Sequence, residues 1–283
     1  MSNVKNDNIL NPEDFKEPIC PFDSDFYTNS EPSETIPVRR VIEKLDELLY
    51  AKNDVDGARR HLEYWERCAE AGRDLRGLLT VENELMGFHR QNGTKEGAYR
   101  AVERGLELVD KLGMSDAVGG ATTYLNAATV CKAYGDAGRA AEYYENARRI
   151  YERDLPSGDS RLAGLYNNYG LALCDLGRFD EAEKMYASAL AIVENDADLM
   201  LEAAITYLNL ADMYFSKLGE VESSEYVEKY LDLAEKIFDK SDIPHNGYYA
   251  YVCEKSAPTF EYYGWFMTAK KLSERVKNIH EGT

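Results

Sequence analysis

An all-α chain of about six helix pairs, stacked behind an irregular N-terminal segment, is what the sequence predicts, and three observations carry it. Apolar residues recur at helical spacing from Val41 onward, and no stretch shows the strict alternation of a strand. Glycines stand at Gly93, Gly135, Gly177 and Gly219, 42 residues apart each time, and again at Gly264. Five of the eight prolines fall within the first 37 residues. A fixed period of this length marks a solenoid whose units cannot bury their apolar faces alone, and the 283-residue length accommodates such an array.

The chain divides near residue 37. Residues 1–36 hold eight acids against two lysines, a net of −6, with no apolar periodicity. Such a segment buries too little surface to offset its ordering entropy, so it is expected to be extended or disordered by itself. Ile19, Phe22, Phe26 and Tyr27 could still anchor it on the folded body. Residues 37–283 are expected to form the repeat domain. Helical spacing begins with Val41, Ile42, Leu45, Leu48 and Leu49. Polar interruptions at Asp74, Ser115/Asp116, Ser157–Asp159, Asn195/Asp196 and Ser241/Asp242 each precede a new apolar run, as N-cap residues do.

Aligned on the period, residues 124–147 match residues 166–189 without a gap, and 207–231 form a third copy with shifts of one or two residues. A first helix ends at each glycine, which permits the left-handed turn into a second helix. Small residues (Ala128, Gly170 and Ala211 in first helices, Ala140 and Ala182 in second ones) let paired helices approach closely. Tyr144, Tyr166, Tyr169, Tyr186, Tyr207 and Tyr214 are expected to fill the space between them.

These positions resemble the tetratricopeptide repeat family. The pattern is carried by Tyr166, Tyr169–Gly170, Leu173, Ala182 and Tyr186, and one unit earlier by Tyr124, Ala127–Ala128, Cys131, Ala140 and Tyr144. Weaker units fit around Leu85–Met86/Ala98 and Ser256–Ala257/Ala269, with a degenerate first unit around Leu48/Ala58. The 42-residue period and the phrases YNNYGLAL and YLNLADMY look most like the kinesin-light-chain type of repeat. The resemblance implies a right-handed α-α superhelix, with first helices on the concave face and second helices outside.

Composition and motifs exclude other classes. Lys and Arg total 33 against 51 Asp and Glu, a net charge of −18, which argues against neutralising nucleic-acid phosphates. No window approaches a membrane span, and the N-terminus lacks the pattern of a signal peptide. Five scattered cysteines without a CxxC read as reduced thiols in a cytoplasmic protein. Cys131 and Cys174, at equivalent positions, read as small packing residues rather than a reactive pair. No HExxH, GxSxG, P-loop or GxGxxG is present and the four histidines are scattered, so neither an enzyme nor a metal or cofactor site is expected. Arg148, Arg149 and Arg153 read as an ion-paired face beside Glu142, Glu145 and Glu152.

What remains is a binding surface for a protein or peptide ligand. Carried over from the resemblance, its residues are Asn83, Gly87 and Arg90; Thr122, Asn126, Thr129 and Lys132; Asn167, Asn168 and Leu171; Ile205, Asn209, Asp212 and Phe215. Asparagine is a mediocre helix former, so Asn126, Asn168 and Asn209 at one register need a reason. Either their amides meet the backbone of an extended peptide, or they bridge neighbouring helices. Arg90 and Lys132, one unit apart, could select an acidic group, although Cys174 and Phe215 at the next two equivalents leave a full carboxylate clamp incomplete. The function expected is a non-enzymatic scaffold; the alternative is a peptide-sensing regulator resembling bacterial signal receptors without a DNA-binding domain. The last helix places Phe266, Ala269, Leu272, Val276 and Ile279 on one side and charges on the other, as a capping helix of a monomer does. The acidic tail is expected to compete for the groove.

Overall fold

Aspartates set where several helices begin. Asp54, Asp74, Asp136 and Asp159 each accept a backbone N–H of the first turn, at 2.8, 2.9, 3.2 and 3.0 Å, and Thr94 and Asn246 do the same for two more helices. The computed structural model describes residues 32–194, 196 and 199–282, and among these are twelve α-helices and no strand. They are α1 Val38–Asp46, α2 Val55–Gly72, α3 Leu75–Asn92, α4 Lys95–Lys111, α5 Val118–Ala133, α6 Ala137–Asp154, α7 Ser160–Asp175, α8 Phe179–Val193, α9 Met200–Leu218, α10 Glu220–Phe238, α11 Gly247–Tyr262 and α12 Phe266–Glu281. A single π-helical turn, Glu47–Ala51, extends α1. Contacts group them into two compact units that meet in sequence between Gly135 and Asp136.

In the first unit the core is formed by Leu62, Leu85, Met86, Val102 and Ala128, all buried, with α3 packed on α2, α4 and α5. The chain before α1 is irregular where described and packs on the α2–α3 corner. Ser33 N–H and the Ser33 hydroxyl both donate to Gly72 O, Ile36 N–H donates to Asp74, and the Ile36 side chain is buried. A Cβ on Gly72 would lie 2.2 Å from Glu34 O, so glycine is what lets the two backbones touch. Ile19, Phe22, Phe26 and Tyr27, and with them the competing tail, lie outside the described residues.

In the second unit α7 packs on α6, α8 and α9, α9 on α10 and α11, and α11 on α12. One continuous cluster includes Val193, Ala204, Ala211, Leu231, Phe238, Tyr249, Phe260 and Leu272. The tyrosines expected inside are there: Tyr144 and Tyr186 are fully buried, Tyr166, Tyr169 and Tyr214 nearly so, and Tyr207 is half-buried. Close approach at Gly170 is real, since a Cβ there would sit 2.5 Å from the Tyr186 ring. Arg148 pairs with Glu145 at 2.6 Å and Glu152 at 2.8 Å, a solvated ion-paired face.

Several local expectations change. Gly135, Gly177, Gly219 and Gly264 adopt the left-handed turn (φ +70 to +81°), but Gly93 does not; it is extended, with room only for a hydrogen because a Cβ would meet the His89 ring at 2.2 Å. Ser115/Asp116 and Ser241/Asp242 precede helices without capping them. The Ser115 hydroxyl instead donates to Asp110, closing the end of α4, while the caps fall at Ala117 and Asn246. Asp196 is likewise no cap, because α9 starts after Leu199. Phe266, expected on the apolar side of the last helix, is 64% exposed because it occupies the first residue of α12, ahead of the turn that packs.

The glycines give a paired prediction. Gly177 has φ +70° and nothing within 4 Å of a would-be Cβ, so Gly177→Ala is expected to cost about 1–2 kcal/mol through the backbone alone. Gly87 lies inside α3 with equally open space, so Gly87→Ala is expected to stabilise by about 0.5–1 kcal/mol. Urea unfolding of the two variants, with opposite signs expected, checks both.

Candidate peptide-binding site

In the first unit the sequence-derived residues of α3 and α5 come together. Asn83 Nδ2 donates to Leu79 O at 2.9 Å and to Thr123 Oγ1 at 3.1 Å, and its Oδ1 accepts from Asn126 Nδ2 at 2.8 Å. Helical spacing, four residues back to Leu79, fixes the first bond; packing of α3 on α5 makes the other two. Thr123 is fully buried and passes its own proton to Gly119 O at 3.3 Å. Both Asn83 donors are therefore engaged. Among the described residues Asn126 keeps its carbonyl oxygen and second N–H for another partner.

Around this amide pair the surface is polar and partly open. Thr122 and Thr129 turn their hydroxyls back to Val118 O and Leu125 O, at 3.1 and 2.9 Å. Arg90 and Lys132 are half-buried near the C-terminal ends of α3 and α5, where the helix dipole favours cations. Gly87, between Asn83 and Arg90 on the helix, leaves open space, with no atom of the described residues within 4 Å of where a Cβ would stand.

In the second unit the expected residues separate. Asn168, Leu171, Ile205 and Asn209 are half-buried and Asp212 is exposed. Asn167 is not on an accessible face: it is 6% exposed, and neither amide atom has a hydrogen-bond partner among the described residues. Its neighbour in the motif, Tyr166, is equally buried, so both residues of the pair turn inward. Asn209 Nδ2 is buried without a partner as well. Asp212 accepts from the Tyr263 hydroxyl at 2.8 Å; the protein crowded around its carboxylate raises its pKa, and the phenol's hydrogen bond offsets part of that rise. Phe215 is half-buried and packs edge-on against Tyr262 and Tyr263.

One charged cluster escaped the sequence reading. Glu82, on α3, is completely buried, and Arg104 Nε lies 3.0 Å from its carboxylate without an aligned hydrogen bond. Arg104 also pairs with Glu66 at 2.9 Å and with Glu70. Burial, only partly offset by Arg104 and reinforced by Glu66, pushes the Glu82 pKa up to about 7. The signal was available: Glu82 falls on the apolar line Leu78, Leu85, Met86, where the next units carry Tyr124 and Tyr166. Among the described residues there is no cluster of His, Cys, Asp and Glu able to hold a metal, and Cys131 is fully buried as a packing residue. No helix among them is long and apolar enough to cross a membrane.

Paired antiparallel helices joined at left-handed glycines, repeated at 42 residues, define a helical-hairpin repeat protein of the α-α superhelix class. Residues 161–236 match the family described as tetratricopeptide repeat. Its fold is similar to BtubC (BKLC) from P. vanneervenii, with TM-score 0.55, 20% identity and coverage of 82% of this chain and 92% of that one. It is also similar to the nearly identical TPR-like repeats of a Podosopora anserina kinesin light chain, with TM-score 0.51, 20% identity and coverage of 71% and 94%. No curated protein matches the sequence. At this identity the likeness is one of fold, and tetratricopeptide repeats are in general a protein-interaction scaffold.

Proposed function

We propose that the protein binds an extended polypeptide segment on the polar face that α3 and α5 present in the first unit. The observation that supports this reading is the Asn83–Asn126 amide pair, which fixes the Asn126 side chain while leaving it a donor and an acceptor. A backbone amide group needs both. Arg90 and Lys132 lie toward one end of the same face and favour a segment that carries a carboxylate there. The asparagines thus do two things at once: they bridge helices, and one of them retains hydrogen-bonding capacity. The protein acts in this reading as a non-enzymatic cytoplasmic monomer, and its net charge of −18 leaves nucleic acid an unsuitable partner.

The test uses peptides selected by display on the full chain and remeasured on two variants. Gly87→Leu fills the open face without displacing any protein atom near Cβ. It should lower affinity at least about tenfold, equivalent to 1.4 kcal/mol. Arg90→Ala with Lys132→Ala should do the same for peptides ending in a free carboxylate and have little effect on their amidated forms. Selected peptides that bind wild type and both variants equally would show that this face is not the site.

A further inference from the structure

A cleft of about 530 Å³ opens in the second unit where the α9–α10 corner meets the α11–α12 corner. Four rings line it, Phe215, Tyr262, Tyr263 and Trp265, together with the carboxylates of Glu220 and Glu228. The rings are held at fixed angles. Phe215 meets Tyr262 and Tyr263 edge-on, with centroids 5.8 and 5.5 Å apart, and Tyr262 and Tyr263 stand at 84° to each other. The Tyr263 hydroxyl is tied to Asp212 at 2.8 Å, which fixes its ring from outside the cleft. Tyr262 is 68% exposed although it touches two aromatic neighbours.

The carboxylates are as informative as the rings. Neither Glu220 nor Glu228 has an ion-pair partner among the described residues, and no cation lines the cleft. On neighbouring elements, by contrast, Asp239 pairs with Lys271 and Arg275, and Asp180 with Lys217. Position beside the N-terminus of α10 accounts for Glu220, whose charge suits the helix dipole. It does not account for Glu228, two turns further on.

We infer that this cleft takes the arginine or lysine side chain of a partner polypeptide, a site distinct from the face on α3 and α5. The face of an aromatic ring attracts a cation, a guanidinium stacks on it, and two carboxylates at the rim accept its N–H groups. A net charge of −18 draws such a segment in over a longer range. The volume is of the size that encloses a side chain with part of its backbone.

The test titrates the full chain with the blocked pentapeptide Ac-Gly-Arg-Gly-Arg-Gly-NH2 and follows the two tryptophan indole N–H signals by NMR. Trp265 lines the cleft, whereas Trp65 is buried in the first unit and serves as an internal reference. Saturable movement of the Trp265 signal alone is expected, with no saturation by the glutamine-for-arginine peptide. Glu220→Gln with Glu228→Gln should weaken binding at least about tenfold. Glu222→Gln with Glu225→Gln removes the same charge from the same helix outside the cleft and should change affinity less than about twofold, apart from the long-range field. The inference is overturned if the peptide leaves Trp265 unmoved, if the glutamine peptide binds equally, or if both double variants weaken binding to the same extent.

Discussion

Replacing Glu82 by glutamine is expected to stabilise the protein by about 3 kcal/mol at pH 8 and by less than about 1 kcal/mol at pH 5. The folded-state pKa of Glu82 stands at about 7, above its ordinary value of 4.5, because burial opposes the charged form. Between those values the folded state holds a proton that the unfolded chain has lost, so stability declines as pH rises from 4.5 to 7 and is flat beyond. A shift of this size corresponds to about 3 kcal/mol at 1.36 kcal/mol per unit. Removing one member of a buried ion pair ordinarily leaves the other stranded. Here Arg104 is partly exposed and retains Glu66 and Glu70, so it is not left alone. Urea unfolding at pH 5, 6, 7 and 8 checks the prediction: the wild-type slope should vanish in Glu82→Gln. A variant less stable than wild type at pH 8 would mean that the Arg104 pairing outweighs the desolvation of Glu82.

Asn167→Leu is expected to raise stability by about 1–3 kcal/mol, the cost of a buried amide without partners. Asn167 shows 6% of its surface, and both of its amide atoms lack a hydrogen bond among the described residues. Its equivalents one unit before and after are Leu125 and Leu208, so the backbone at this register already accommodates leucine, and the volumes are similar. The melting temperature should rise by several degrees, while Asn168→Leu, at a half-buried neighbour, should raise it far less. A lower melting temperature for Asn167→Leu would reveal a partner of the amide that leucine cannot replace.

The two substitutions show where sequence reasoning reaches its limit. Glu82 and Asn167 both lie on repeat positions that the period identifies, yet nothing in a period states how deeply a position is buried. Asn167 and Asn168 are adjacent, polar and identical in type; one turns inward and the other stays half-exposed, because 100° of helix rotation separates them. Asn83 and Asn126, 43 residues apart, could have met a ligand, a helix or both. Only the packing of α3 against α5 brings the two amides to 2.8 Å and decides that one holds the other.

By itself the sequence determined the helices, their pairing, the left-handed glycines at four of five corners and the buried tyrosines, since each depends on a local rule: periodicity, backbone sterics or the volume of a side chain. The tertiary structure decided the rest. Gly93 is extended rather than left-handed, and only glycine fits there because the His89 ring occupies the space a Cβ would take. Gly72 is a glycine because a distant backbone, that of Glu34, lies against it. The cleft of Phe215, Tyr262, Tyr263 and Trp265 exists because two corners 45 residues apart are stacked side by side. Such features depend on which surfaces meet, and that is set by the packing of whole helices rather than by any residue's neighbours in sequence.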